Sequence, residues 1–151
     1  MDEQRIQVKI ISESGILPAY ETVGSAGMDV RAFLKESIHL APGERALIPT
    51  GIRMELPMGL EAQIRARSGL SIRHGLAMVN GVGTIDSDYR GEIMLPVINL
   101  GDENVLIENG DRLAQMVIAR YERIIWEPTT ELNVTERSEG GFGHTGIKEK
   151  R

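Results

Sequence analysis

The sequence predicts an all-β chain, a jelly-roll-like β-sandwich or barrel with at most one short helix and a glycine-rich C-terminal arm. Three observations predict it: apolar residues that alternate with polar ones, turn-formers every few positions, and the lack of any long stretch at helical period. The alternation is plain in Ile6-Gln7-Val8-Lys9-Ile10, Ile52-Arg53-Met54-Glu55-Leu56 and Ala62-Gln63-Ile64-Arg65-Ala66, the two-residue period of a strand with one buried face. Gly24, Gly27, Pro42-Gly43, Pro49-Thr50-Gly51, Pro57 and Gly59 interrupt the chain between them. Further strands are expected at 30–33, 46–48, 77–79, 92–99, 104–107 and 113–120, about ten short strands in all. The turns Gly101-Asp102 and Asn109-Gly110-Asp111 carry residues that tolerate positive φ. The helix candidate is 68–74, where Ser68 offers a cap and Gly75 a stop. Periodicity cannot assign the apolar run 113–119, and its β surroundings decide for a strand.

At 151 residues the chain suits one domain with one core. A β domain over 1–136 and a C-terminal arm over 137–151, closing over the site as part of the same domain, is the expected organisation. Hydrophobic residues make up 41% and charged residues 26%, which places the chain among folded globular proteins rather than disordered ones. No uncharged apolar run approaches the ~20 residues needed to cross a bilayer, so no membrane association is expected. The N-terminus has no apolar signal core, and a cytoplasmic location is the default. With no cysteine, a thiolate nucleophile, a disulfide framework and a cysteine zinc site are excluded. A net charge of -5 argues against broad nucleic-acid binding, which needs a surplus of Lys and Arg. A small phosphorylated ligand needs only a local cluster.

Five segments carry candidate chemistry, each with an ordinary reading beside it. In residues 80–89, Asn80-Gly81-Val82-Gly83-Thr84-Ile85-Asp86-Ser87-Asp88-Tyr89, glycines permit close backbone approach and are followed by two carboxylates and a phenol. A β-hairpin there would wall a pocket; otherwise Asp86 and Asp88 simply satisfy turn amides. Arg67-Ser68-Gly69 at a strand end suits phosphate oxygens, or is a plain surface arginine. Asp29, after the Gly27 turn, caps amides or orients waters on a magnesium ion. Magnesium keeps several waters and is shared between carboxylate and phosphates, so a triphosphate would complete such a site. Gln115 sits in an apolar run, where a polar group needs a partner, whereas Asp111 and Arg112 read as structural. The segment 137–146 has four glycines around Phe142 but no Gly-Lys-Ser/Thr ending, which excludes a P-loop. His144 reads as a surface residue and the seven methionines as core filler.

The order of these segments resembles the five motifs of the trimeric dUTPases. Ala26-Gly27-Met28-Asp29 is similar to the first motif, Arg67-Ser68-Gly69-Leu70 to the second and residues 80–93 to the third. Gly110-Asp111-Arg112-Leu113-Ala114-Gln115 is similar to the fourth and residues 137–146 to the fifth, so the resemblance runs over about 6–146. It implies hydrolysis of dUTP to dUMP and pyrophosphate, which lowers dUTP and supplies dUMP for thymidylate synthesis. Asp86 would be the general base for a water attacking the α-phosphorus. Asn80, Gly83, Thr84, Ile85 and Met94 would hold uracil, and Tyr89 would lie under the deoxyribose and reject a ribose 2′-hydroxyl. Arg67, Ser68, Gly69 and Gln115 would grip the phosphates. Arg137 would reach the γ-phosphate, with Phe142 and Gly143 closing over the base. Mg2+ would be held by Asp29 through water together with the substrate phosphates. The resemblance further implies a homotrimer with its sites at subunit interfaces. Ser138 departs from the family, which commonly has glycine there; if that position needs positive φ, serine costs about 1 kcal/mol.

The nearest alternative is a dCTP deaminase of the same fold, which would need a glutamate in the third motif to activate water at the cytosine ring. A non-catalytic nucleotide-binding regulator should have lost a motif, and none is missing. A jelly-roll structural protein would have no reason to carry all five in order.

Overall fold

Eleven strands and one short helix form the regular structure of the described residues, 6–143 and 145–146, in a computed structural model. Residues 1–5 of the expected β domain, residues 147–151 of the expected arm, and His144 lie outside the described residues. In chain order the elements are β1 (Lys9–Ser12), β2 (Gly27–Arg31), β3 (Ile38–Leu40), β4 (Arg45–Pro49), β5 (Ile52–Glu55), β6 (Leu60–Ala66), α1 (Ser68–His74), β7 (Leu76–Met78), β8 (Val82–Ile85), β9 (Met94–Asn99), β10 (Val105–Ile107) and β11 (Arg112–Arg120). Every pairing between these strands is antiparallel. A four-stranded sheet runs β2-β11-β6-β8 and a three-stranded sheet β4-β9-β7, with the pairs β1-β5 and β10-β3 beside them. This is the all-β, jelly-roll-like sandwich with one short helix that the sequence predicts.

Alternation builds the core. Leu60, Ala62 and Ile64 point inward from β6, and Leu95 and Val97 from β9. All of these but Leu60 join Val30, Ile48, Ile93, Ile107 and Met116 in one hydrophobic cluster. Each fully buried aliphatic side chain contributes about 1.5–3 kcal/mol, so register is fixed wherever a strand has one buried face. A polar residue, Asn99, is also fully buried. Its amide donates to the Leu40 carbonyl (2.9 Å) and the Glu103 carbonyl (2.7 Å), and its oxygen accepts from Gly101 N–H (2.9 Å), so nothing polar is left unpaired.

Several expectations shift. The first strand pairs over Lys9–Ser12 rather than 6–10, because its partner β5 reaches only Ile52–Glu55. The strand expected at 30–33 begins at Gly27, where β11 supplies a pairing edge through Asp29↔Gln115 and Val117↔Gly27. The short strands β3 and β8 were not among those expected. Helix α1 keeps its predicted bounds, but Arg67 is the N-cap residue, with no side-chain cap bond, and Ser68 is already helical. Gly75 ends it as expected, with φ 69°, and its N–H donates to the Ser71 carbonyl. A Cβ at Gly75 would overlap the Gly101 backbone, so close packing also requires glycine here. The segment 80–93 is not a two-stranded hairpin, because β8 pairs with β6 while β9 pairs with β4 and β7. No helix among the described residues is long and apolar enough to cross a membrane.

Candidate active site

The two ends of the four-stranded sheet carry different chemistry. At one end, β2, β11 and β6 bring Asp29, Gln115 and Arg65 into one row, and Arg67 follows as β6 runs into α1. Arg67 Nε lies 3.1 Å from Asp29 Oδ1, and Arg112 Nη1 lies 3.2 Å from Asp29 Oδ2. Arg67 Nη1 also donates to the Arg112 carbonyl (3.1 Å). The Asp29 side chain is 15% exposed, so its charge is largely withdrawn from water and depends on these two guanidiniums. Arg112 reaches it because the β11–β2 register shifts between Arg112 and Ala114, an irregularity that re-aims the side chain before it.

These groups line a cavity of about 400 Å³ together with Ser68, Gly69, Arg73 and Gln115. Gln115 is half-buried and faces this cavity rather than the core, which resolves the polar residue in an apolar run. A Cβ at Gly27 would overlap Gln115 Oε1, so the first-motif glycine gives that amide its room. Arg73 was not singled out in the sequence; its guanidinium folds back over Gly69, one helical turn earlier, and adds a third cation. Arg112 read as structural, and it pairs with Asp29 and lines the same cavity.

The opposite end carries Asp86. Pairing of Ala62 with Ile85 and of Arg65 with Val82 sets β8 along β6, so that Asp86 follows beside Glu61, near the Leu60 end, while Arg67 lies beyond the Ala66 end. At ~3.4 Å per residue, Asp86 and Arg67 of one chain are about 15–20 Å apart. The chain brings Asp29, Arg67, Ser68, Gly69 and Gln115 together, but not Asp86, Tyr89, Arg137 or Phe142 with them.

The turn that presents Asp86 is braced by hydrogen bonds to its own carbonyls. Tyr89 N–H donates to the Asp86 carbonyl (3.2 Å), and Arg90 Nη1 to the carbonyls of Ser87 (2.6 Å) and Tyr89 (3.0 Å). Ser87 Oγ lies 3.3 Å from the Tyr121 hydroxyl. The Ser87 hydroxyl, and after it the Gly59 backbone, hold the Tyr121 phenol below its usual pKa. Among the described residues no ion pair or hydrogen bond engages the carboxylate of Asp86 or Asp88, and both residues are exposed. Neither carboxylate caps a turn amide, so both face solvent with their oxygens uncommitted among the described residues.

Strand β8 is an edge of its sheet, leaving main-chain donors and acceptors along Val82–Ile85 open to a planar ligand. Gly81, with φ 72°, turns the chain beside Asn80 into that edge, and Gly83 sits against Ile64 and Asn80. Thr84 is exposed, while Ile85 and Met94 are half-buried at the core margin. After β11 the described residues form no further helix or strand, and 122–139 are exposed throughout. Within them Arg137 Nε donates to the Gly140 carbonyl (2.8 Å), and Ser138 has φ 44°, the conformation for which glycine is favoured. Ser138 N–H and Oγ both bond to Thr135, at 3.0 and 2.9 Å. Phe142 is fully exposed, with φ 37°, ahead of Gly143 at φ 88°.

No group of three or more His, Asp or Glu residues placed to hold a metal occurs among the described residues. With both Asp29 oxygens committed to guanidiniums, this donor set does not fit a cation caged by protein alone.

Residues 13–146 match the dUTPase family model. Deoxyuridine 5'-triphosphate nucleotidohydrolase of Finegoldia magna is 55% identical over 142 residues, covering 93% of this chain and 99% of the relative. The Fusobacterium nucleatum protein of the same name is 54% identical over 144 residues, covering 95% and 99%. The Staphylococcus bacteriophage 80alpha dUTPase, solved with dUPNHPP, superposes with a TM-score of 0.82 at 27% identity, covering 93% of this chain and 98% of that one. Matched motifs, a shared fold and more than half of all positions in common with a full-length relative establish that this chain belongs to the dUTPase family.

Proposed function

We propose that the protein hydrolyses dUTP to dUMP and pyrophosphate at sites shared between neighbouring copies of a homotrimer. The observation that carries this reading is the separation of an unpartnered carboxylate, Asp86, from a guanidinium-lined cavity on the same chain. A site that needs both draws the base from one copy and the phosphate grip from another. The exposed Ile125 and Trp126, 97% and 83% accessible, support an assembly in which another copy covers the segment after β11.

In this reading Arg67, Ser68, Gly69 and Gln115, joined by Arg73 and Arg112, hold the triphosphate. Asn80, Gly83, Thr84, Ile85 and Met94 take uracil along the β8 edge, and Tyr89 underlies the deoxyribose. Asp86 accepts a proton from a water in line with the α-phosphorus; the P–O bond to the β-phosphate breaks, and pyrophosphate leaves with its charge spread over the guanidiniums. The arm supplies Arg137 to the γ-phosphate and lays Phe142 and Gly143 over the base. Asp29 would hold Mg2+ through water together with the substrate phosphates, and the ion would supply positive charge against the phosphate oxygens. The deaminase alternative gains nothing from the third-motif glutamate, because Glu92 is used through Oε1 to accept from Gly51 N–H (2.7 Å) in the strap to the β4–β5 turn.

Pyrophosphate release across dUTP, dCTP, dTTP and UTP, with and without magnesium, tests the reading. Activity is expected with dUTP and magnesium and to be far weaker otherwise; equal turnover of dCTP, or ammonia release, would overturn it.

A further inference from the structure

Tyr89 is 44% exposed on a turn whose residues 88–90 all face solvent, yet its ring is not free to swing. Its hydroxyl donates to the Glu92 carbonyl (2.9 Å), three residues on. The hydroxyl end of the ring then lies against Gly91. A Cβ at Gly91 would overlap the hydroxyl and stand 2.5 Å from Cζ and 2.9 Å from Cε2, well inside contact distance. These are atoms of a rigid ring, so the ring must move as a body to relieve the clash. Gly91 does not have positive φ, so its backbone does not require glycine; the space above it does.

The shelf beneath the ring is fixed to the core. Glu92 Oε1 accepts from Gly51 N–H (2.7 Å), Thr50 Oγ1 donates to the Ile93 carbonyl (2.6 Å), and Ile93 N–H donates to the Ile52 carbonyl (2.8 Å). Thr50 and Ile93 are 3% and 1% exposed. Residues 91–93 are therefore strapped to the β4–β5 turn, and the phenol hangs from that strap.

We propose that Gly91 is a specificity-determining positioning residue, which sets the height of the Tyr89 ring under the sugar and thereby the discrimination between deoxyribose and ribose nucleotides. The inference rests on the reading of Tyr89 as the sugar floor. A ring that rises or tilts no longer excludes a 2′-hydroxyl by contact, because rejection of one added oxygen depends on sub-ångström fit.

The test is the ratio of kcat/KM for dUTP to kcat/KM for UTP, in the full-length chain, for Gly91→Ala, Tyr89→Phe, Tyr89→Ala and the double variant Tyr89→Ala/Gly91→Ala. Gly91→Ala is expected to lower the ratio about tenfold, and Tyr89→Phe, which keeps the ring but cuts its tether, to lower it less. In the Tyr89→Ala background Gly91→Ala should change nothing further, since the two act through one ring. A general loss of fold quality would reduce both substrates equally and leave the ratio intact; that result, or an undiminished effect of Gly91→Ala without the tyrosine ring, overturns the proposal. If Gly91→Ala does not fold, Tyr89→Phe decides, and an unchanged ratio counts against the shelf. A wild-type ratio in Tyr89→Ala sinks the sugar reading itself, and the inference with it.

Discussion

The phosphate end and the Asp86 end of the same four-stranded sheet are organised by opposite means. At the first, Asp29 balances Arg67 and Arg112 through two ion pairs at 3.1 and 3.2 Å, so the cations are held in place before any ligand arrives. At the second, the turn's own carbonyls accept from Tyr89 N–H and from the Arg90 guanidinium, and the Asp86 carboxylate is left uncommitted. The difference teaches what each end needs. Anion binding gains from charges fixed and partly desolvated in advance, whereas a base must keep its lone pairs free until water is beside it.

The largest expected effect follows from the free carboxylate. Asp86→Asn should reduce kcat by about 10²–10⁴-fold, the share of a general base, while dUTP still binds by calorimetry; wild-type turnover would remove Asp86 from that role. At the other end, Asp29→Asn leaves two guanidiniums facing each other without a counter-charge. Urea denaturation should show a loss of about 1–2 kcal/mol, held to the low side because both arginines remain partly solvated. An unchanged midpoint would mean that the ion pairs do not organise the cavity.

Smaller effects probe the bracing and the arm. Ser138→Gly relieves a positive φ worth about 1 kcal/mol but gives up the Oγ bond to Thr135, so the change in KM for dUTP should stay within about fivefold; a larger change would mean that position 138 governs closure of the arm. Ser87→Ala removes the first cause of the lowered Tyr121 pKa. Ultraviolet titration should then show that phenol ionising at higher pH, towards its ordinary range; no movement would break the link between the turn and the end of β11.

Much of this was legible from residue order, and the gaps have physical causes. β5, β6 and β11 announce themselves because each has a buried face or run long enough to show a period. β3 has only Ile38, His39 and Leu40, too few to show one, and β8 has Gly83 where an apolar residue would mark the pattern. β2 starts at Gly27 only because β11 offers a partner, a non-local cause that no local pattern records. At the site, Gln115 was legible as a polar residue in an apolar run, whereas Asp86 was set apart from Asp88 only by the family resemblance, and residues placed by geometry did not stand out. Arg112 depends on a register shift, Arg73 on a helical turn, and Gly91 on a ring two residues away. The hairpin expected at 80–93 failed because Glu92 and Ile93 are strapped to the β4–β5 turn, which carries the chain into the second sheet.

The central claim is that base and phosphate grip come from different copies. Asp86→Asn and Arg67→Ala chains, each inactive alone, should be unfolded, mixed one-to-one and refolded together. Sharing between copies predicts recovery at about a quarter of sites, those pairing an intact Asp86 with an intact Arg67 from the neighbouring chain. A mixture no more active than its parents would place both groups on the same chain and contradict the account.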